Sequence, residues 1–146
     1  MDKWILKEHI QIVDKVIDWQ DAIRLCGNPL LKSKIINNNY IEKIIKTHNQ
    51  IGPYYVLAPH IAVPHARPED GSFDTALSLL IIKNGIQFGK VEYDPVKIIF
   101  MLASKNNNSH IHLIASLAEL LQVEKSINAI KNSSRIEDIY NEIIKS

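Results

Sequence analysis

Apolar positions along this chain follow three spacings, and each spacing predicts a different kind of element. Two runs, Thr75 to Ile82 and Val96 to Leu102, are apolar with little interruption. Short continuous runs of this kind suit central strands of a sheet that is covered by helices on both faces. Asn84-Gly85 is a turn signal and is expected to end the first of them. Ile10 to Val16 roughly alternates between apolar and polar, which predicts a half-buried strand. Tyr54 to Leu57 and Ile61 to Val63 read as short extended runs beyond the turn at Ile51-Gly52-Pro53.

The third spacing is helical. Asp18 can cap a helix from Trp19, with Trp19, Ala22, Ile23 and Cys26 facing the core. Gly27-Asn28-Pro29 is expected to kink or break it, because Pro29 has no N–H for the carbonyl one turn back. Asn39 followed by Glu42 reads as a capped start of a helix to about His48, with Ile41, Ile44 and Ile45 in its stripe. The polar run Asn106-Asn107-Asn108-Ser109 precedes a helix carrying Ile114, Leu117 and Leu121 on one face. A short helix is expected over Ser126 to Lys131. Ser134 with Glu137 forms a capping box for a last one, striped by Ile136, Ile139 and Ile143. Strands interleaved with helices, then helices alone, predict a three-layer α/β/α sandwich with a mixed central sheet, formed by residues 1–146 as one domain.

Composition adds mainly exclusions. Formal net charge is +1 and charged residues, 23% of the chain, are interspersed, so no basic block points to nucleic acid. Cys26 is the sole cysteine, so no intrachain disulfide can form and a reducing cytoplasm fits. No apolar window reaches bilayer length and no long apolar stretch follows Met1-Asp2-Lys3-Trp4. A cytoplasmic protein without direct membrane insertion is expected.

The chemistry concentrates at Pro64-His65-Ala66-Arg67-Pro68-Glu69-Asp70-Gly71. Both prolines fix their own φ and push Val63 and Arg67 toward extended backbone, so the imidazole of His65 is presented from stiff chain. In extended chain Arg67 points to the same side as His65. An imidazole nucleophile beside a guanidinium can accept a phosphoryl group. Arg67 either offsets phosphate charge or pairs with Glu69 or Asp70. His110 sits in the first turn of the helix that starts near Ser109. Free N–H groups and the macrodipole attract anions there, and the same field disfavours imidazolium. His110 either hydrogen-bonds a phosphate or only fills space. His9 and His48 lie near element ends and are expected in solvent.

No metal and no other cofactor is expected. His110 and His112 are two apart and face away from each other on a helix, and no Cys-x-x-Cys or His-Glu-x-x-His spacing occurs. No Gly-x-Ser-x-Gly elbow or glycine-rich nucleotide loop is present either.

Ile61-Ala62-Val63-Pro64-His65 resembles the phosphorylation site of enzyme IIA domains of the bacterial phosphoenolpyruvate-dependent sugar phosphotransferase system, mannitol/fructose type. Asn107-Asn108-Ser109-His110-Ile111-His112-Leu113-Ile114-Ala115-Ser116-Leu117 resembles the asparagine-rich turn, second histidine and helix of that family. Order and spacing agree over nearly the whole chain. Ala58-Pro59, the stretch Pro64 to Gly71, and the approach Gly52 to Pro59 look most like the ascorbate-specific subgroup. One departure is His60, where that subgroup usually has glycine; a side chain there either crowds the site or adds a polar ring to it.

The resemblance implies a phosphotransferase in which His65 takes a phosphoryl group from the carrier HPr and passes it to an enzyme IIB, with a membrane enzyme IIC acting downstream and an ascorbate-like sugar as cargo. His110 would orient the phosphoryl oxygens, with Arg67 and Ser109 at the phosphate. Ile61, Val63 and the residues beside His110 would form an apolar contact ring for the partners. The alternative is a regulatory domain whose phosphorylation signals to a partner and feeds no transporter.

Overall fold

The computed structural model describes residues 3–145. Five strands form one mixed sheet in the order β1-β4-β5-β3-β2. They are β1 (Ile10–Val13), β2 (Val56–Ala58), β3 (Ile61–Ala62), β4 (Ala76–Ile86) and β5 (Val96–Ala103). β1 runs parallel to β4 and β3 parallel to β5, while β4/β5 and β2/β3 are antiparallel. The two continuous apolar runs are therefore the central strands, as their patterning predicts.

Strand alternation divides the core in two. Leu80, Ile82, Ile99 and Met101 face helices α1 (Trp19–Lys32) and α2 (Asn38–Ile51). Leu79, Ile81, Ile98 and Phe100 face α3 (Asn107–Leu121), α4 (Glu124–Asn132) and α5 (Ile136–Ile144). These are the three layers expected from the sequence.

Several local expectations are corrected. α1 does not break at Gly27-Asn28-Pro29 but continues to Lys32. The carbonyl that Pro29 leaves without a donor belongs to Leu25, and the Gln11 side-chain amide of β1 donates to it at 2.7 Å. Gly27 serves close approach: a Cβ there would lie 2.9 Å from Cδ1 of Ile41 and 3.1 Å from Sδ of Met101. Replacing Gln11 by Met strands the Leu25 carbonyl and is expected to cost about 1 kcal/mol. A lower urea midpoint with unchanged slope checks this, and an unchanged midpoint refutes it.

Asn84-Gly85 does not end β4, which runs to Ile86 through a register shift against β5, with Gly85 at φ +71°. α2 is capped by Asn37 rather than Asn39, its side chain accepting from the Tyr40 amide. α3 buries Leu113, Leu117 and Leu120, so Ile114 falls outside the buried stripe and is 39% exposed. Ser134 caps nothing: α5 starts after Arg135 with no side-chain cap, and Ile136 is partly exposed.

His9 and His48 are buried, not solvated. His48 stacks on Trp19 at 3.7 Å between centroids, and its Nδ1 lies 2.6 Å from the Tyr55 hydroxyl. Burial holds both imidazoles below the ordinary value of 6.5.

Candidate active site

β3 and β5 are parallel, so the chain leaves both at the same end of the sheet, where clefts form in such folds. Past β3 comes the stiff segment Val63 to Pro68; past β5 come Ser104 and α3. The first segment is pinned from three sides. The Leu102 amide donates to the Pro64 carbonyl at 3.1 Å. The Tyr40 hydroxyl accepts from the Ala66 amide at 3.1 Å and donates to the Leu102 carbonyl at 2.6 Å. The Tyr54 hydroxyl donates to the His65 carbonyl at 2.8 Å, and its ring meets the His65 ring edge-on. Burial pushes the Tyr40 and Tyr54 phenols above their ordinary value, so both stay protonated donors. Sequence reasoning missed both tyrosines, whose only local signal is their aromatic type.

His65 is half-buried, with Nδ1 2.8 Å from the Val63 carbonyl. A carbonyl only accepts, so Nδ1 carries the proton and the neutral ring keeps its lone pair on Nε2. The His110 ring lies 5.4 Å away between centroids, and its Nδ1 is 3.2 Å from the hydroxyl of buried Ser104. Burial first, then the nearby His65, holds His110 below its ordinary value of 6.5.

The rings open on a cleft of about 580 Å³, which Arg67, Lys43 and Asn107 also line. Asp70 accepts from the Arg67 amide at 2.9 Å, and among the described residues the Arg67 guanidinium is in no ion pair with Glu69 or Asp70. That arrangement leaves Arg67 free to meet a phosphate.

Four expected site residues lie elsewhere. Ser109 faces the opposite side of α3, lining a separate groove with Trp4 and His112, and its amide donates to the Asn106 side chain at 2.8 Å. The first turn is thus already capped there, and Asn107 is the polar residue at the cleft. His60, at φ +70°, holds the backbone conformation that glycine takes freely. Its ring turns away from the cleft, with Nδ1 2.7 Å from the Pro95 carbonyl; it neither crowds the site nor joins it. Ile61 and Val63 are 4% and 3% exposed, packed beneath α3 in the core. The exposed apolar surface next to His65 is instead a small groove with Leu57 and Ile114 at its rim and Val63, Leu117 and Leu121 below.

Residues 3–146 match the family model of the phosphoenolpyruvate-dependent sugar phosphotransferase system, EIIA 2. The chain belongs to this family. It is a phosphotransferase component of that system. It is 37% identical over 125 residues to the mannitol-specific cryptic phosphotransferase enzyme IIA component of Escherichia coli K12, covering 86% of this chain and 84% of that protein. It is 31% identical over 114 residues to the ascorbate-specific EIIA component of the same strain, covering 77% and 74%. The solution structure of the E. coli mannitol-specific cryptic enzyme IIA superposes with TM-score 0.93 at 33% identity, over 99% of this chain and 97% of that one. A complex of the E. coli mannitol enzyme IIA with phosphorylated enzyme IIB matches at TM-score 0.83 and 25% identity, over 97% and 98%. No described helix is long and apolar enough to cross a membrane.

Proposed function

We propose that Nε2 of His65 accepts a phosphoryl group from phosphorylated HPr and passes it to an enzyme IIB, in the cytoplasm, for uptake of a sugar through a membrane enzyme IIC. The observation that carries this reading is the Nδ1 contact of His65 with the Val63 carbonyl, which leaves Nε2 as the nucleophile beside His110. The Nε2 lone pair attacks phosphorus in line as the donor's P–N bond breaks, and that electron pair returns to the donor imidazole. His65 then carries an N-phosphoryl group and a positive ring, whose Nδ1–H the Val63 carbonyl stabilises. The Nε2–H of neutral His110 donates to the phosphoryl oxygens, and Arg67 offsets their charge. Positioning and charge account for most of the catalysis in such a transfer.

The finer assignment is an ascorbate-like sugar, supported by the resemblance of Gly52 to Pro59 and Pro64 to Gly71 to the ascorbate-specific subgroup, while the relatives include both mannitol and ascorbate components. Phosphorylated protein is offered an ascorbate-type and a mannitol-type enzyme IIB. Faster discharge into the ascorbate-type partner is expected. Faster discharge into the mannitol type corrects the sugar, and discharge into neither supports the regulatory alternative.

Partners meet His65 across the groove rimmed by Leu57 and Ile114, which are 53% and 39% exposed. A small apolar contact of this kind suits a transient encounter. Leu57→Asp and Ile114→Asp are expected to raise the HPr concentration needed for half-maximal loading by about tenfold, with little change in melting temperature. Normal loading by both variants would place docking elsewhere.

A further inference from the structure

Ser104 lies just past β5, 2% exposed, and among the described residues its hydroxyl has one hydrogen-bond partner, Nδ1 of His110 at 3.2 Å. We propose that Ser104 is a positioning residue for the phosphotransfer described above: its hydroxyl donates to Nδ1 of His110 and fixes that ring as the tautomer with its proton on Nε2.

The choice of tautomer follows from counting protons. If Nδ1 carried the proton, it would donate to Ser104, and the buried serine proton would have no acceptor. With the proton on Nε2, the serine proton meets the Nδ1 lone pair and none is stranded. Burial keeps His110 largely neutral, so it has a tautomer to select.

The two cleft histidines are then set oppositely by what holds their Nδ1 atoms. Val63 offers a carbonyl, which can only accept, so His65 keeps a lone pair on Nε2. Ser104 offers a hydroxyl that donates, so His110 presents an N–H on Nε2. One ring supplies electrons to phosphorus; the other supplies a proton donor to its oxygens. In the reverse tautomer, the His110 lone pair would face anionic oxygens and oppose transfer.

Long-range proton–nitrogen correlation spectra of the unphosphorylated, histidine-labelled protein at neutral pH read the tautomer directly, with His110 assigned from a His110→Ala spectrum. Nε2 of His110 is expected in the protonated range. In Ser104→Ala the Nδ1–H form gains population, and discharge to enzyme IIB slows by about three- to tenfold. Ser104→Thr keeps the hydroxyl and restores both. A wild-type ring protonated on Nδ1 overturns the proposal, as does a folded Ser104→Ala protein with the wild-type tautomer and rate. The role in transfer rests on the proposed function, but the tautomer is read without any phosphoryl group. Failure of His65 to accept phosphate is therefore distinguishable from failure of this inference.

Discussion

A His65→Ala variant takes up no phosphoryl group from phosphoenolpyruvate, enzyme I and HPr under conditions where the wild type is labelled stoichiometrically. This is the largest effect expected from any single change, because it removes the atom that bonds to phosphorus. The other described histidines are not alternative acceptors. His9 and His48 are buried. His60 has Nδ1 against the Pro95 carbonyl outside the cleft. His112 lies on the groove across α3. His110 shares the cleft, but with Ser104 donating to its Nδ1 its proton sits on Nε2, which then has no lone pair to offer phosphorus. The fold is expected to survive, since His65 is half-buried and its segment is held by backbone contacts from Tyr40, Tyr54 and Leu102. Acid-labile label and melting temperature are measured together. Stoichiometric label on a folded His65→Ala protein would sink the assignment.

What could be read in the sequence depended on how local its cause is. The stiffness around His65 is written in two prolines four positions apart, and the central strands in nearly uninterrupted apolar runs. The cap of α1 follows from Asp18, whereas α3 starts at Asn107 under an Asn106 cap, two residues before the start near Ser109 that the sequence suggests. The misreadings come from distant partners. Pro29 breaks nothing because Gln11, on another element, satisfies the carbonyl it frees. Histidines near helix ends looked solvated, yet His48 is covered by Trp19 and Tyr55. Ile61 and Val63 looked available, but α3 covers the same face of the sheet. The supporting shell was illegible for the same reason: Tyr40 reaches Leu102 across 62 positions, and nothing near Tyr40 announces it. Ser104 was passed over although it is only 6 positions from His110, because a lone serine after a strand has no pattern of its own.

His110→Ala is expected to slow transfer in both directions by about ten- to a hundredfold, as loss of one charge-assisted hydrogen bond worth about 1.5–3 kcal/mol requires. The label should still reach His65, which separates the two histidines: one holds the phosphate, the other lowers the barrier. The charge state of His110 gives a second reading. In the resting protein, burial and the neighbouring His65 keep it below the ordinary 6.5, so it is largely neutral at pH 7. A phosphoryl group on His65 adds negative charge within reach of the ring and favours imidazolium, so the His110 titration should move upward in the phosphoprotein. Lys43 and Arg67 oppose protonation of His110, Glu69 and Asp70 favour it, and these charges are fixed across this step. The His65 ring gains one positive charge on loading, which opposes imidazolium, and the phosphoryl group brings nearly two negative charges, which favour it. The net change on loading is therefore negative. The Ser104 hydroxyl would then rotate to accept from the newly protonated Nδ1 and its own proton would lose its acceptor, a cost that limits the rise without moving the ring. Single-turnover loading and discharge are followed for wild type and His110→Ala, and the His110 resonances are titrated with and without phosphate on His65. Unchanged kinetics in both directions would remove His110 from the reaction, and an unmoved titration would mean that its ring does not face the phosphoryl group.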